Sequence, residues 1–209
     1  MIKNIKMTGY TGLYAEYADS LNISNCQIEP QHWGVRISTS SGFKIIHSEF
    51  KNARYGLYFA NSEGSFISND VHHLTYNPYP YAPIYILSSV MDVIGNDIYQ
   101  NIGTHGGALR LYLSSGNITH NYIHDNTVNY YGAILDQVSD FMISNNIIED
   151  NTSHSYAAGI SSLGSSTSII DNKICGNSSS YNYGGGFYLF QGDGTVAGNL
   201  ISNNNAQHY

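Results

Sequence analysis

Three dipeptide-spaced pairs stand out for the chemistry they would support: Glu49-x-Lys51, Asp70-x-His72 and Asp97-x-Tyr99. In an extended segment, residues two apart share a face. Each pair therefore offers a carboxylate beside a group that can give or take a proton. If the three segments lie side by side, Glu49, Asp70 and Asp97 stack at strand spacing. Carboxylates that close repel unless a cation or Lys51 sits among them. A hard cation takes such oxygens, and calcium is the metal expected. A lyase acting on an acidic sugar polymer needs that arrangement: a cation on the uronate carboxylate, a base (Lys51) and an acid (His72 or Tyr99). The competing reading is a solvated face on which Lys51 and the carboxylates pair loosely.

A second set consists of Tyr14, Arg36, Tyr58, Tyr85, Arg110 and Tyr112, at or near equivalent outward positions of another strand. Flat rings interleaved with fixed guanidinium donors suit the stacking of sugar rings and the holding of acidic groups. Tyr76, Tyr79 and Tyr81 in a neighbouring loop would wall one side, and Trp33 and Tyr55 lie just before the strand. Tyr and Arg are also simply good outward strand residues. The histidines offer no transition-metal motif: His72 and His73 are adjacent and expected to point apart on a strand, while His105, His120 and His124 fall in other segments. Gly184-Gly185-Gly186 leads into a strand, not a helix, so it is no phosphate loop.

The elements that position these residues come from a repeat. The phrase Ile118-Thr119-His120-Asn121-Tyr122-Ile123 recurs with both end positions apolar, as in Phe66…Asn69-Asp70-Val71, Val93…Asn96-Asp97-Ile98, Ile143…Asn146-Ile147-Ile148 and Ile169…Asn172-Lys173-Ile174. Copies follow one another at 21–27 residues. Alternating inward apolar and outward polar residues around an Asn describe two short strands joined by a tight turn. Asn suits that turn because it tolerates the left-handed backbone region, and stacked Asn side chains can bond one another as a ladder. Cys26 and Ser48 replace Asn in the first two full copies, which weakens the ladder there. Upstream of each phrase lies a third strand, usually opened by Gly: Gly34-Val-Arg-Ile, Gly56-Leu-Tyr-Phe, Gly107-Ala-Leu-Arg-Leu. Three strands per coil with parallel pairing between coils make an all-β, right-handed parallel β-helix (a solenoid) of about eight coils.

Coils are numbered here by the phrase they contain, Ile23–Ile28 being in the first and Val196–Ile201 in the eighth. In the third strand, Leu57/Phe59, Ile84/Ile86, Leu109/Leu111 and Phe187/Leu189 align as inward pairs. In coil six the inward pair is expected to be Ala133/Leu135, because the other register buries Asp136. A second Asn series, Asn101, Asn126, Asn151, Asn177 and Asn204, follows the phrases and implies that the later loops leave the rod in similar turns. Neither end carries a capping segment, so residues 1–209 read as a single domain, a fragment of a longer protein with flanking domains.

Composition closes off several classes. The formal charge is −7 with 11% charged residues, so no basic stripe exists to neutralise phosphates and nucleic acid is not expected as a partner. No apolar run approaches ~18 residues, so membrane insertion is not expected. Cys26 and Cys175 lie six coils apart, roughly 29 Å at strand spacing, too far to pair.

Segments such as Ile143-Ser-Asn145-Asn146-Ile-Ile-Glu-Asp-Asn151 and Gly185-Gly186-Phe…Ala-Gly-Asn199-Leu-Ile-Ser-Asn-Asn204 resemble the right-handed parallel β-helix repeat family of bacterial and archaeal surface and secreted proteins. The resemblance covers nearly the whole chain. It implies an extracellular or cell-surface, carbohydrate-facing role, and rods of this family also assemble side by side as homo-oligomers. The family's polygalacturonase-type motifs (Asn-Thr-Asp, Asp-Asp, Gly-His-Gly, Arg-Ile-Lys) and the pectate-lyase Arg-x-Pro-x-x-Arg do not occur here. The preferred expectation is a module that binds polysaccharide or glycan along the Tyr/Arg face and requires no cofactor. The alternative is a polysaccharide lyase, or related carbohydrate-active enzyme, assisted by Ca²⁺.

Overall fold

The computed structural model describes residues 1–75, 82–181 and 183–207. Tyr76, Tyr79 and Tyr81, the expected wall of the Tyr/Arg strip, lie outside the described residues. The chain winds as a parallel β-helix, and every strand pairing between coils is parallel. A nine-stranded sheet collects the strands that precede the phrase Asn. A fifteen-stranded sheet collects both the strands that follow it and the Gly-led strands. These two sets join because the segments Lys6–Glu16 and Gln27–Ser38 run straight through the corner that later coils fill with a loop. A further five-stranded sheet of two-residue strands follows the second Asn series, from Ile102–Gly103 to Asn205–Ala206.

The core is the stack of phrase residues. Ile23, Ile45, Phe66, Val93, Ile118, Ile143 and Ile169 form one buried column, and Ile28, Phe50, Val71, Ile98, Ile123, Ile148 and Ile174 another. Phe43 and Phe59 stack across the interior at 5.4 Å. In the eighth coil the same inward columns are half exposed, with Val196 at 43% and Ile201 at 51%.

Polar ladders fix each coil to the next. Asn96 donates its backbone N–H (2.9 Å) and side-chain Nδ2 (2.9 Å) to Asn121 Oδ1. Asn121 treats Asn146 likewise, and the series runs from Asn69 to Asn199 with Ser48 as its lighter first rung. The second Asn series is an equally buried ladder, Asn101 to Asn126, Asn151, Asn177 and Asn204. A third, of Ser hydroxyls accepting backbone N–H groups, runs Ser40, Ser62, Ser89, Ser114, Ser139, Ser165. The left-handed residue is not the ladder residue itself, as expected from Asn, but the one before it. His120 (φ 58°), Asn145 (φ 56°), Gln100 (φ 51°), Leu113 (φ 52°) and Val138 (φ 50°) turn the chain so that the next side chain points inward.

One register expectation is overturned. Leu109 pairs with Ile134 and Leu111 with Asp136, so Ile134/Asp136 face inward and Ala133/Leu135 do not form the inward pair. Asp136 is fully buried. Hydroxyls make this tolerable: Ser162, its partner in coil seven, donates to Asp136 Oδ2 at 3.1 Å.

Candidate metal centre

The strands after the phrase Asn are three residues long, and their middle residues (Phe50, Val71, Ile98, Ile123) are buried. Their flanking residues must therefore face out. The register sets Glu49 beside Asp70, Asp97 and Tyr122, and Lys51 beside His72, Tyr99 and His124. The expected columns are thus present. Within them, Glu49, Asp70 and His72 can each place one ligand atom within 4.8 Å of the others. Asp97, the third carboxylate of the expected metal set, is not brought into this group. It is half exposed and bonds His124 Nε2 through Oδ1 at 3.1 Å.

Glu49 is the hub. Its Oε1 accepts from Lys51 Nζ at 2.7 Å and contacts His72 Nε2 at 3.1 Å, and its Oε2 accepts from Gln27 Nε2 at 2.6 Å. Burial pushes its pKa up, but bonds from Lys51, Gln27 and His72 outweigh that and hold the carboxyl below its ordinary range. Asp70 moves the other way: burial raises its pKa, and Asp97 and Glu49 add repulsion. Asp70 Oδ1 is buried with no hydrogen-bond partner. The Tyr99 phenol is pushed up by its own burial and by Asp70. Lys51 is raised above its ordinary value by its bond to Glu49, the reverse of what a lysine base requires.

The adjacent histidines do not point apart. His73 sits at φ 54°, where the strand ends, and the bend brings its Nδ1 to 2.6 Å from His72 Nδ1. Above this pair, the rings of His72, Tyr99 and His124 stack at 4.9 and 5.1 Å with planes within 9° of parallel. A metal at this place would find imidazole nitrogen beside two carboxylates. Calcium wants six to eight oxygens, whereas copper(II) accepts mixed N,O donors in a tetragonal set. The uncommitted Asp70 Oδ1 and the paired imidazoles fit the second better than the first.

Further along the same columns Glu149 accepts from Tyr122 OH (2.6 Å), Lys173 Nζ (2.9 Å) and Cys175 Sγ (3.3 Å). The Tyr122 bond, then Lys173, lower its pKa to about 2, and Tyr122 in turn is pushed up to about 12 by its bond to Glu149. Cys26 and Cys175 are both free.

On the Gly-led strands Tyr14, Arg36, Tyr58, Tyr85 and Arg110 fall in one column. Tyr112 belongs to the next outward position, opposite Leu87 and Gln137. Arg36 lies 5.4 Å from the rings of both Tyr14 and Tyr58, and Arg110 lies 5.0 Å from Tyr85 and 5.5 Å from Tyr112. Tyr14 is 54% exposed, but Tyr85 (5%) and Arg110 (8%) are buried and cannot serve as open platforms. The Trp33 and Tyr55 expected beside the strand belong to an aromatic cluster at the open end, to which Tyr10 and His32 are added: Tyr10 stacks on His32 (4.5 Å), His32 meets Tyr55 edge-on (4.4 Å), and Trp33 stacks on Tyr55 (4.8 Å).

Among the described residues no helix is long and apolar enough to cross a membrane. No curated protein matches the chain. Residues 2–209 match a family described as "Periplasmic copper-binding protein (NosD)". The periplasm agrees with the expected location outside the cytoplasm. The metal in that description is copper, which does not fit the expectation of no required cofactor or of Ca²⁺. On a match over nearly its whole length, the chain belongs to the NosD family of parallel β-helix proteins.

Proposed function

We propose that this chain is an extracytoplasmic β-helix module that holds a copper ion on the outward face of coils two and three. The observation that carries the reading is the convergence of Glu49, Asp70 and His72, with His73 turned onto His72. The copper in the family's description supports it. His72, Glu49 and Asp70 would be the ligands, and His73 a further nitrogen beside them. A bound copper would supply redox or Lewis-acid chemistry. The chain's own part is to present the His72 imidazole beside the Glu49 and Asp70 carboxylates. Because Asp70 resists ionisation, capture strengthens as pH rises through its elevated pKa. Lys51, held on Glu49, competes for the same oxygen.

The test is a Cu²⁺ titration followed by calorimetry and by electron paramagnetic resonance, with Zn²⁺ and Ca²⁺ in parallel. One tight equivalent with nitrogen hyperfine structure is expected. His72→Ala and Glu49→Gln should each weaken it by roughly ten-fold or more, the scale on which even outer-shell partners matter. Undiminished affinity in His72→Ala would remove this site.

A second reading, glycan binding, is favoured by the open end of the Tyr/Arg column, where Arg36 lies between Tyr14 and Tyr58 beside the Tyr10, His32, Trp33 and Tyr55 cluster. A glycan array comparing wild type with Tyr14→Ala and Tyr58→Ala probes it, and unchanged binding would take the strip out of contention. A lyase using Lys51 as base with His72 or Tyr99 as acid draws less support, since both Lys51 and Tyr99 hold their protons more tightly than usual.

A further inference from the structure

The outward Tyr/Arg column changes character along the rod. Its members in coils four to seven, Tyr85, Arg110, Leu135 and Ser161, are buried, at 8% exposure or less. Those in coils one to three, Tyr14, Arg36 and Tyr58, are not. Lys6–Glu16 and Gln27–Ser38 run straight through the corner that later coils fill with a loop, so the column stays open there. Charge divides the same way. Residues 1–60 carry six Lys and Arg against four Asp and Glu, whereas residues 61–209 carry two against eleven. The open stretch therefore lies in the positively charged part of an acidic chain, which favours an anionic partner at that place.

Arg36 is the centre of the open stretch. Its guanidinium carbon lies 5.4 Å from the rings of both Tyr14 and Tyr58. Its Nε is buried with no hydrogen-bond partner. Among the described residues no carboxylate forms a salt bridge with Arg36, nor with Arg54, which lies over the Tyr55 ring at 5.5 Å, whereas Lys6, Lys51 and Lys173 are each paired with a Glu. A guanidinium flanked by two rings keeps its edge for bonding, and that edge fits a carboxylate in a two-pronged bond. The neighbouring rings are open: Tyr10 is 66% and Tyr14 54% exposed. His32 stacks on one face of Tyr10 and Arg36 lies over one face of Tyr14; among the described residues no ring or cation covers the other face of either.

We infer that the outward face of coils one to three binds a uronate-bearing polysaccharide, with Arg36 on a uronate carboxylate and Tyr10 and Tyr14 against the sugar rings. This rests on the glycan reading of the strip and names the class of glycan. A neutral glycan would leave Arg36 without a counter-charge. An acidic peptide fits less well, because Gln27–Ser38 is paired along both edges, to Lys6–Glu16 and to Tyr55–Ala60, and has no backbone left for an added strand. Tyr10 and Tyr14 are four residues apart on one strand, roughly 13 Å, so the ligand is an oligomer and not a single sugar.

The test is calorimetric titration with short oligomers of galacturonate, guluronate or glucuronate, with their methyl esters, and with polyglutamate, a chelator being present so that no cation bridges the partners. At least one uronate oligomer should bind, and its methyl ester, with the same rings and linkages but no charge, should bind roughly ten-fold or more weakly, the worth of a charge-assisted bond. Arg36→Gln should bring the acid down to the level of the ester and leave the ester unchanged. Should that variant fail to fold, Arg36→Lys, which keeps the charge and loses the fork, should still weaken binding several-fold. Lys44→Gln, at an exposed cation on another sheet, should change nothing, which separates a site from general attraction. Equal binding of acid and ester, weakened alike by Tyr14→Ala, would overturn the inference and leave the glycan reading standing. Binding of no uronate oligomer would overturn it too, and an array blank for neutral and acidic glycans alike would remove the glycan reading with it. Tighter binding of polyglutamate than of any uronate would also overturn it.

Discussion

Replacing Asn121 with Ala tests the ladder at its centre. Asn121 Oδ1 accepts both the backbone N–H and the side-chain Nδ2 of Asn96, each at 2.9 Å, and its own Nδ2 donates to Asn146 Oδ1 (3.0 Å) and Val93 O (2.9 Å). Truncation strands two donors of Asn96 in a place where Asn121 is 1% and Asn96 2% exposed. Each stranded buried donor costs about 1–3 kcal/mol, so the loss should be about 2–6 kcal/mol. At 2–4 °C per kcal/mol for a chain of this size, Tm should fall by roughly 10 °C. Asn121→Ser keeps an acceptor in the manner of Ser48, whose Oγ accepts Cys26 N–H at 3.1 Å, and should cost about half as much. Asn117→Ala is the control: its exposed side chain donates to Asp92 at 2.8 Å, and the change should stay within about 0.5 kcal/mol of wild type. Denaturant unfolding gives the energies, and amide hydrogen exchange at the Asn96 N–H locates the loss, because that proton is protected only by the Asn121 oxygen. If Asn121→Ala and Asn117→Ala were equally stable, side-chain ladders would not be what holds successive coils together.

Three further outcomes follow from features on the page. Val138 holds φ 50° while 52% exposed, a backbone region that costs a β-branched residue about 1–2 kcal/mol. Val138→Asn should therefore raise Tm by a few degrees in a thermal melt, and Val138→Ile should not. Glu149 has a pKa of about 2 in the fold against 4.5 ordinarily, so it binds fewer protons folded than unfolded. Its contribution is present above pH 4.5 and lost as pH falls toward 2. Glu149→Gln should flatten that acid limb when Tm is followed against pH. Lys51→Met frees the Glu49 oxygen that Lys51 now occupies at 2.7 Å, and should tighten Cu²⁺ binding in a titration, whereas a weaker complex would mean that Lys51 is no competitor.

The scaffold was legible because its signal is local and repeated. Both apolar ends of the phrase Ile118–Ile123 are buried, as are their counterparts in the other central coils. The columns Glu49–Asp70–Asp97 and Lys51–His72–Tyr99 followed from the same register. What failed turned on contacts between distant parts of the chain. The cost of burying Asp136 argues from sequence for an outward position, but Ser162, 26 residues on, is what makes its burial tolerable. The aligned pairs Gly107-Ala108 and Gly132-Ala133 carried the true register, since they set Leu109 against Ile134. His73 departs from strand alternation because alternation stops at a left-handed residue, and nothing in a His-His pair marks where that falls. Tyr85 and Arg110 carry outward residue types at outward positions, yet they are buried, which alternation alone does not reveal.

The ladders also set a unit of length. From coil four through coil six, three buried series advance by the same step: Asn96 to Asn121 to Asn146, Asn101 to Asn126 to Asn151, and Ser89 to Ser114 to Ser139, each by 25 residues. Excising or duplicating one 25-residue period there would bring every rung back opposite an equivalent one. A change of another size would have to be taken up in a loop between rungs, as it is between Asn69 and Asn96, 27 residues apart, and between Asn146 and Asn172, 26 apart. The rod thus changes in length only by whole rungs, whatever the length of the loops between them. Each such event would move the outer face of coils two and three nearer to, or farther from, the coil-eight end of the rod by one strand spacing, and leave its own residues untouched.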